Sequence, residues 1–122
     1  MHRIQNYTRD DAKRKVGAGW HSLIDLVYDE FEKDGDNIVV TTVKEKFGGL
    51  RIYFENGNDF KHLGHFVDNI EQRSFFTCEM CGKRGQLRRG AWLKTLCEAH
   101  CNGAPPMFPD RSEQLELFGD WK

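Results

Sequence analysis

The stretch IVVTTVKEKFGGLRIYFE, Ile38 to Glu55, reads as two strands around a turn. Ile, Val, Thr, Tyr and Phe dominate it, and such side chains suit a pleated, half-buried surface. Gly48 and Gly49 can supply the positive φ angles of a two-residue primed turn, so a β-hairpin is expected. Pairing across these glycines sets Phe47 against Leu50, Lys46 against Arg51, Glu45 against Ile52, Lys44 against Tyr53 and Val43 against Phe54. Alternation then places Val43, Glu45, Phe47, Leu50, Ile52 and Phe54 on one face. Lys44, Lys46, Arg51 and Tyr53 fall on the other. This pairing carries two costs. Lys46 opposite Arg51 is a like-charge pair. Glu45 on the apolar face needs a partner such as Arg or Lys, or a place at the sheet edge.

Working outward, residues 8 to 33 read as helical. Thr8 can cap, and Asp10 and Asp11 suit the positive end of the helix dipole. Val16, Trp20, Leu23, Ile24, Val27 and Phe31 fall at helical spacing. Gly17 and Gly19 weaken the middle, so two helices joined near Gly17 are an alternative. Beyond the hairpin, Asp59 caps a helix with Phe60, Leu63, Phe66, Val67 and Ile70 on one face. The expected fold is α+β, with two helices packed on a β-hairpin or small antiparallel sheet over residues 1 to 74.

With 122 residues, one compact domain is the default. Such a chain buries about two-thirds of its unfolded surface. The 18 basic and 19 acidic residues leave a net charge of −1. A general electrostatic footprint for nucleic acid is therefore absent, and anion binding requires a local patch. No apolar run approaches the roughly 20 residues of a membrane span, and no leader is evident, so a cytoplasmic protein is expected.

Residues 75 to 102 form a separate unit, CEMCGKRGQLRRGAWLKTLCEAHC at its centre. Cys78 and Cys81 are C-x2-C followed by Gly82, which relieves the tight turn around a shared metal. Cys97 and His100 repeat the spacing. Thiolates and an imidazole in this pattern suit tetrahedral, structural Zn²⁺. Cys101, adjacent to His100, is the alternative fourth ligand. Knuckle, hairpin around Gly90, then ligands at a helix start would make a treble-clef zinc finger. That scaffold also serves HNH-type nucleases, but no Asp-His or His-Asn pair accompanies LCEAHC, so nuclease activity is the weaker alternative. His62 and His65, three apart on a helix, lack a third ligand.

Lys83, Arg84, Arg88, Arg89 and Lys94 surround Trp92 with no acidic residue among them. Cations interleaved with an aromatic suit phosphate plus base. Lys44, Lys46, Arg51, Tyr53, Arg88, Arg89 and Trp92 are therefore the candidate site for an anionic small molecule or nucleic acid. Ordinary solvated hairpin edges are the structural alternative. From residue 103, GAPPMFP reads as a proline-rich linker, and residues 110 to 122 as a short tail. In the tail, Gln114, Leu115, Leu117 and Phe118 resemble the peptide by which bacterial proteins dock on the replication sliding clamp. A clamp-docking adaptor is the alternative function.

GW at Gly19 and Trp20, VKEKFGGLRIYF at Val43 to Phe54, CEMCGKRG at Cys78 to Gly85 and AWLKTLCEAH at Ala91 to His100 together carry a family resemblance. Over residues 16 to 101 the chain resembles a group of uncharacterised small zinc-finger proteins of bacteriophages and bacteria. The resemblance implies a zinc-containing accessory protein and no reaction. The expected function is then non-enzymatic binding by a phage-type protein in the bacterial or host cytoplasm. Its ligand would be a nucleotide-derived host immune signal or nucleic acid, which suits an anti-defence role.

Overall fold

The computed structural model describes residues 6 to 108. Helix α1 is Arg9–Lys13, a 3₁₀ turn spans Ala18–Trp20, and α2 is His21–Asp34. Strands β1 (Val39–Lys46) and β2 (Gly49–Glu55) follow, then α3 (Phe60–Ser74), β3 (Gln86–Arg88) and β4 (Lys94–Leu96). The fold is α+β, with two antiparallel hairpins. Thr8 and Asp11 form a reciprocal capping box at the start of α1, and Asp59 accepts from the His62 N–H to cap α3. The first helical segment is two helices, not one. The break falls at Gly17 to Gly19, where the backbone meets residues 78 to 82.

One face of the β1–β2 hairpin packs on α2 and α3. Trp20, Ile24, Val27, Val40, Leu50, Leu63 and Ile70 are the largest closed side chains of this core. Helix α3 also closes the outer edge of β2. Ser74 Oγ accepts from the Leu50 N–H at 2.8 Å, and Glu71 Oε2 from the Ile52 N–H at 2.9 Å. An edge satisfied by side chains offers no template for another strand.

The turn lies one residue earlier than the glycine pair suggests. Lys46 pairs with Gly49, Glu45 with Leu50, Lys44 with Arg51 and Val43 with Ile52. Phe47 (φ 53°) and Gly48 (φ 86°) hold the two positive angles. Gly49 pairs within the strand, and the Phe75 ring lies against it where a Cβ would collide. The like-charge pair is thus Lys44 with Arg51, and Arg51 lies 3.8 Å from Glu71. The two faces keep their expected membership, except that Phe47 leaves the apolar face for the turn. Glu45 does find partners: Oε2 accepts from the Gly48 N–H at 2.7 Å, and Oε1 meets Lys94 Nζ at 3.2 Å.

Phe75, Phe76 and Leu87 form a second small core, with Leu93 and Phe108 packed against it. The start of the proline-rich segment is not a free linker. Arg89 N donates to Pro105 O at 2.9 Å and Met107 N to Leu87 O at 2.8 Å, so the segment runs along β3. Prolines fit there because an outer edge needs no donor from them. Among the described residues no helix is long and apolar enough to cross a membrane. Gln114, Leu115, Leu117 and Phe118 lie outside the described residues.

Candidate metal centre

Two tight turns build the centre. After α3, Cys78 N donates to Lys83 O at 2.7 Å and Gly82 N to Cys78 O at 2.9 Å, which folds residues 78 to 83 into a knuckle. Gly82 takes φ 83° there, a conformation that suits glycine. Strand β4 ends at Leu96, and the chain turns at once so that His100 N donates to Cys97 O at 3.1 Å. Glu98 to His100 are a turn, not the first turn of a helix.

These turns bring one ligand atom each from Cys78, Cys81, Cys97 and His100 within 4.8 Å of one another. Cys81 and Cys97 sulfurs lie 3.7 Å apart. His100 Nδ1 lies 3.2 Å from the Cys97 sulfur and 3.8 Å from that of Cys78. Ligands around a tetrahedral ion of zinc size stand about 3.6 to 3.8 Å apart. Spacing and donor set therefore fit a metal ion, and the four residues can hold one. Of the two candidates for the fourth position, His100 joins the group. The buried Cys101 thiol instead donates to Glu98 O at 3.4 Å. None of the four cysteines is in a disulfide.

Electrostatics prepare the sulfurs unequally. Burial pushes the Cys78 thiol up, but the N–H groups of Cys97, Cys81 and Met80 outweigh it and hold it down at about 6. At Cys81 the Lys83 N–H pulls downward, yet burial and the neighbouring sulfurs of Cys97 and Cys78 raise that thiol. Crowded thiolates repel one another, and a divalent cation relieves that repulsion.

The centre is fastened to the main core by polar contacts that spacing alone does not reveal. Trp20 Nε1 donates to Thr77 O at 2.8 Å, and Gly19 N to Glu79 O at 2.7 Å. A Cβ at Gly19 would run into the Cys78 carbonyl oxygen. The Glu79 carboxylate accepts from the Gly17 N–H at 3.1 Å and lies 3.7 Å from Lys94 Nζ. Thr95, fully buried, donates to Gly48 O at 2.7 Å. Glu79 and Thr95 are the residues that sequence reading overlooked. Their only signal is position, one residue after Cys78 and two before Cys97.

The candidate anion-binding residues divide. Lys44 Nζ stands 5.7 Å from the Tyr53 ring centroid on the outer face of the β1–β2 hairpin, beside Arg51. Lys46 Nζ stands 5.6 Å from the Phe47 ring at the hairpin tip. Arg89 and Trp92 are exposed at the tip of the β3–β4 hairpin. Arg88 is not on a wet tip. It is buried, with Nε donating to Leu96 O at 3.1 Å and Nη1 to Ala104 O at 3.2 Å, so it holds three passages of chain together. His62 is 2.7 Å from Glu30 and stands apart from the metal-ligand group, as does His65.

No family model matches the chain, and no curated protein or solved structure matches it.

Proposed function

We propose that the chain is a non-enzymatic accessory binding protein, stapled by zinc, that offers a basic and aromatic surface to an anionic ligand. The observation that carries this reading is the closed set of three sulfurs and one imidazole nitrogen. Four protein ligands fill a tetrahedral ion, leave no position for substrate, and make the ion structural. Zinc bound there would supply folding free energy to a unit whose own apolar cluster is small. The knuckle followed by a hairpin supports a treble-clef type of unit, here closed by a turn.

Lys44, Arg51 and Tyr53 on one hairpin, with Lys46, Arg89 and Trp92 at the two tips, supply the cations and rings for an anion. A nucleotide-derived immune signal or a nucleic-acid segment has that chemistry, which fits a phage-type protein acting on a host. Native mass spectrometry of the purified full chain tests both halves of the reading. The expected result is one zinc per chain, lost on chelation together with the cooperative melting transition. Unchanged melting without metal would overturn the staple. Absence of any bound anion after incubation with nucleotides and pyrophosphate would overturn the ligand reading.

A further inference from the structure

The two hairpin tips stand side by side, joined by Lys94 to Glu45 at 3.2 Å and by Thr95 to Gly48 at 2.7 Å. Between them lies an open groove of about 360 Å³, lined by Glu45, Lys46, Phe47, Trp92, Leu93 and Lys94. That volume is within the range of small-molecule sites. One wall comes from β1 and its turn, the other from the β3–β4 hairpin, and each contributes one aromatic ring.

Both rings sit where structure alone does not want them. Phe47 occupies the left-handed region at φ 53° with 65% of its surface exposed. Asn or Gly fits that turn position better, because a Cβ is strained there and a ring in water gains no burial. Trp92 is 79% exposed, the highest figure among the large apolar side chains of the described residues. Backbone strain and solvent-facing rings concentrate at binding sites. The charges nearby are also unequal. Lys94 is engaged by Glu45 and Glu79, and Glu45 is balanced by Lys94 and the Gly48 N–H. Lys46 has no carboxylate partner among the described residues.

We infer that this groove is a nucleotide-binding site in which Phe47 and Trp92 stack on a base and Lys46 meets its phosphate. The inference rests on the anion-binding reading above and narrows it. The ligand is a base-plus-phosphate unit, either free or part of a single strand. Stacking tolerates any base, because every base offers a π face. Lys46 supplies the point charge that a phosphate needs.

Isothermal titration of the zinc-loaded full chain tests it with three probes: adenosine monophosphate, a short oligothymidylate and inorganic pyrophosphate. At least one nucleotide probe should bind more tightly than pyrophosphate. Phe47→Asn and Trp92→Ala should each weaken that probe by about tenfold or more, with zinc content and melting temperature retained. Asn suits the turn, so Phe47→Asn keeps the hairpin. Lys46→Gln should weaken all three probes. Binding of the oligonucleotide alone identifies a strand as the source, and binding of the monophosphate alone a free nucleotide. If pyrophosphate binds as tightly as the nucleotides and neither ring substitution matters, the stacking site is wrong while the basic-face reading stands. If no probe binds, both fall.

Discussion

Thr95 donates its hydroxyl hydrogen to the carbonyl of Gly48, 2.7 Å away, in a contact closed to water. The donor sits two residues before Cys97, one of the four residues that could hold a metal ion, and the acceptor is in the turn of the other hairpin. One hydrogen bond thus couples the Cys97 segment to the strand pair. Thr95→Val keeps the shape and leaves the Gly48 oxygen without this donor. It should cost about 1–3 kcal/mol in urea denaturation, the usual penalty for an orphaned buried polar group. Thr95→Ser keeps the donor and should cost clearly less, whereas a neutral Thr95→Val beside a costly Thr95→Ser would assign the role to the methyl group.

Metal stoichiometry distinguishes the neighbours His100 and Cys101. His100 Nδ1 is among the sulfurs, whereas the Cys101 thiol points to Glu98 O. His100→Ala should lose most of the bound zinc in a colorimetric release assay, and Cys101→Ser should retain all of it. The reverse pattern would give the fourth position to Cys101.

Two glycines should respond oppositely to alanine. At Gly49 a Cβ would collide with the Phe75 ring, while at Gly64, inside α3, it meets nothing within 4 Å. Gly49→Ala should destabilise the chain by about 1–3 kcal/mol through overpacking. Gly64→Ala should stabilise it by about 0.5–1 kcal/mol, since glycine is a poor helix former. Thermal melts of the two variants check the signs.

The His62 imidazole donates from Nε2 to a Glu30 carboxylate oxygen at 2.7 Å. This hydrogen bond to Glu30 holds the His62 pKa above its ordinary value, and the same bond to His62 lowers that of Glu30. The raised pKa means the pair stabilises the fold fully below the unfolded histidine value of about 6.5. The contribution disappears as pH rises through the folded value. An NMR titration should place His62 above the ordinary histidine value of about 6.5, and Glu30→Gln should bring it back down. A His62 curve unaffected by Glu30→Gln would show that the pair is not formed.

Both hairpins and the metal-ligand group were legible because each rests on residue type and short spacing. β-branched runs around Gly48 and Gly49 declare a turn, and C-x2-C with C-x2-H declares a shared ligand field. The turn position was not legible. Gly49 is glycine because of Phe75, which lies 26 residues away in a different unit. Arg88 looked wet because its sequence neighbours are charged. Its acceptors are the carbonyls of Leu96 and Ala104, and the second belongs to a segment whose prolines suggest a linker. Glu79 and Thr95 are buried polar residues whose partners lie in distant segments, and local pattern carries no trace of such pairings.

The bond from the Trp20 indole to Thr77 O has a consequence for the order of synthesis. Trp20 is wholly buried, and its N–H finds its acceptor 57 residues later in the chain. The ribosome therefore releases α2, the first hairpin and α3 before the group that satisfies the centre of their shared interior. A buried donor without a partner is costly. The interior of the N-terminal half is therefore completed only once Thr77 has emerged.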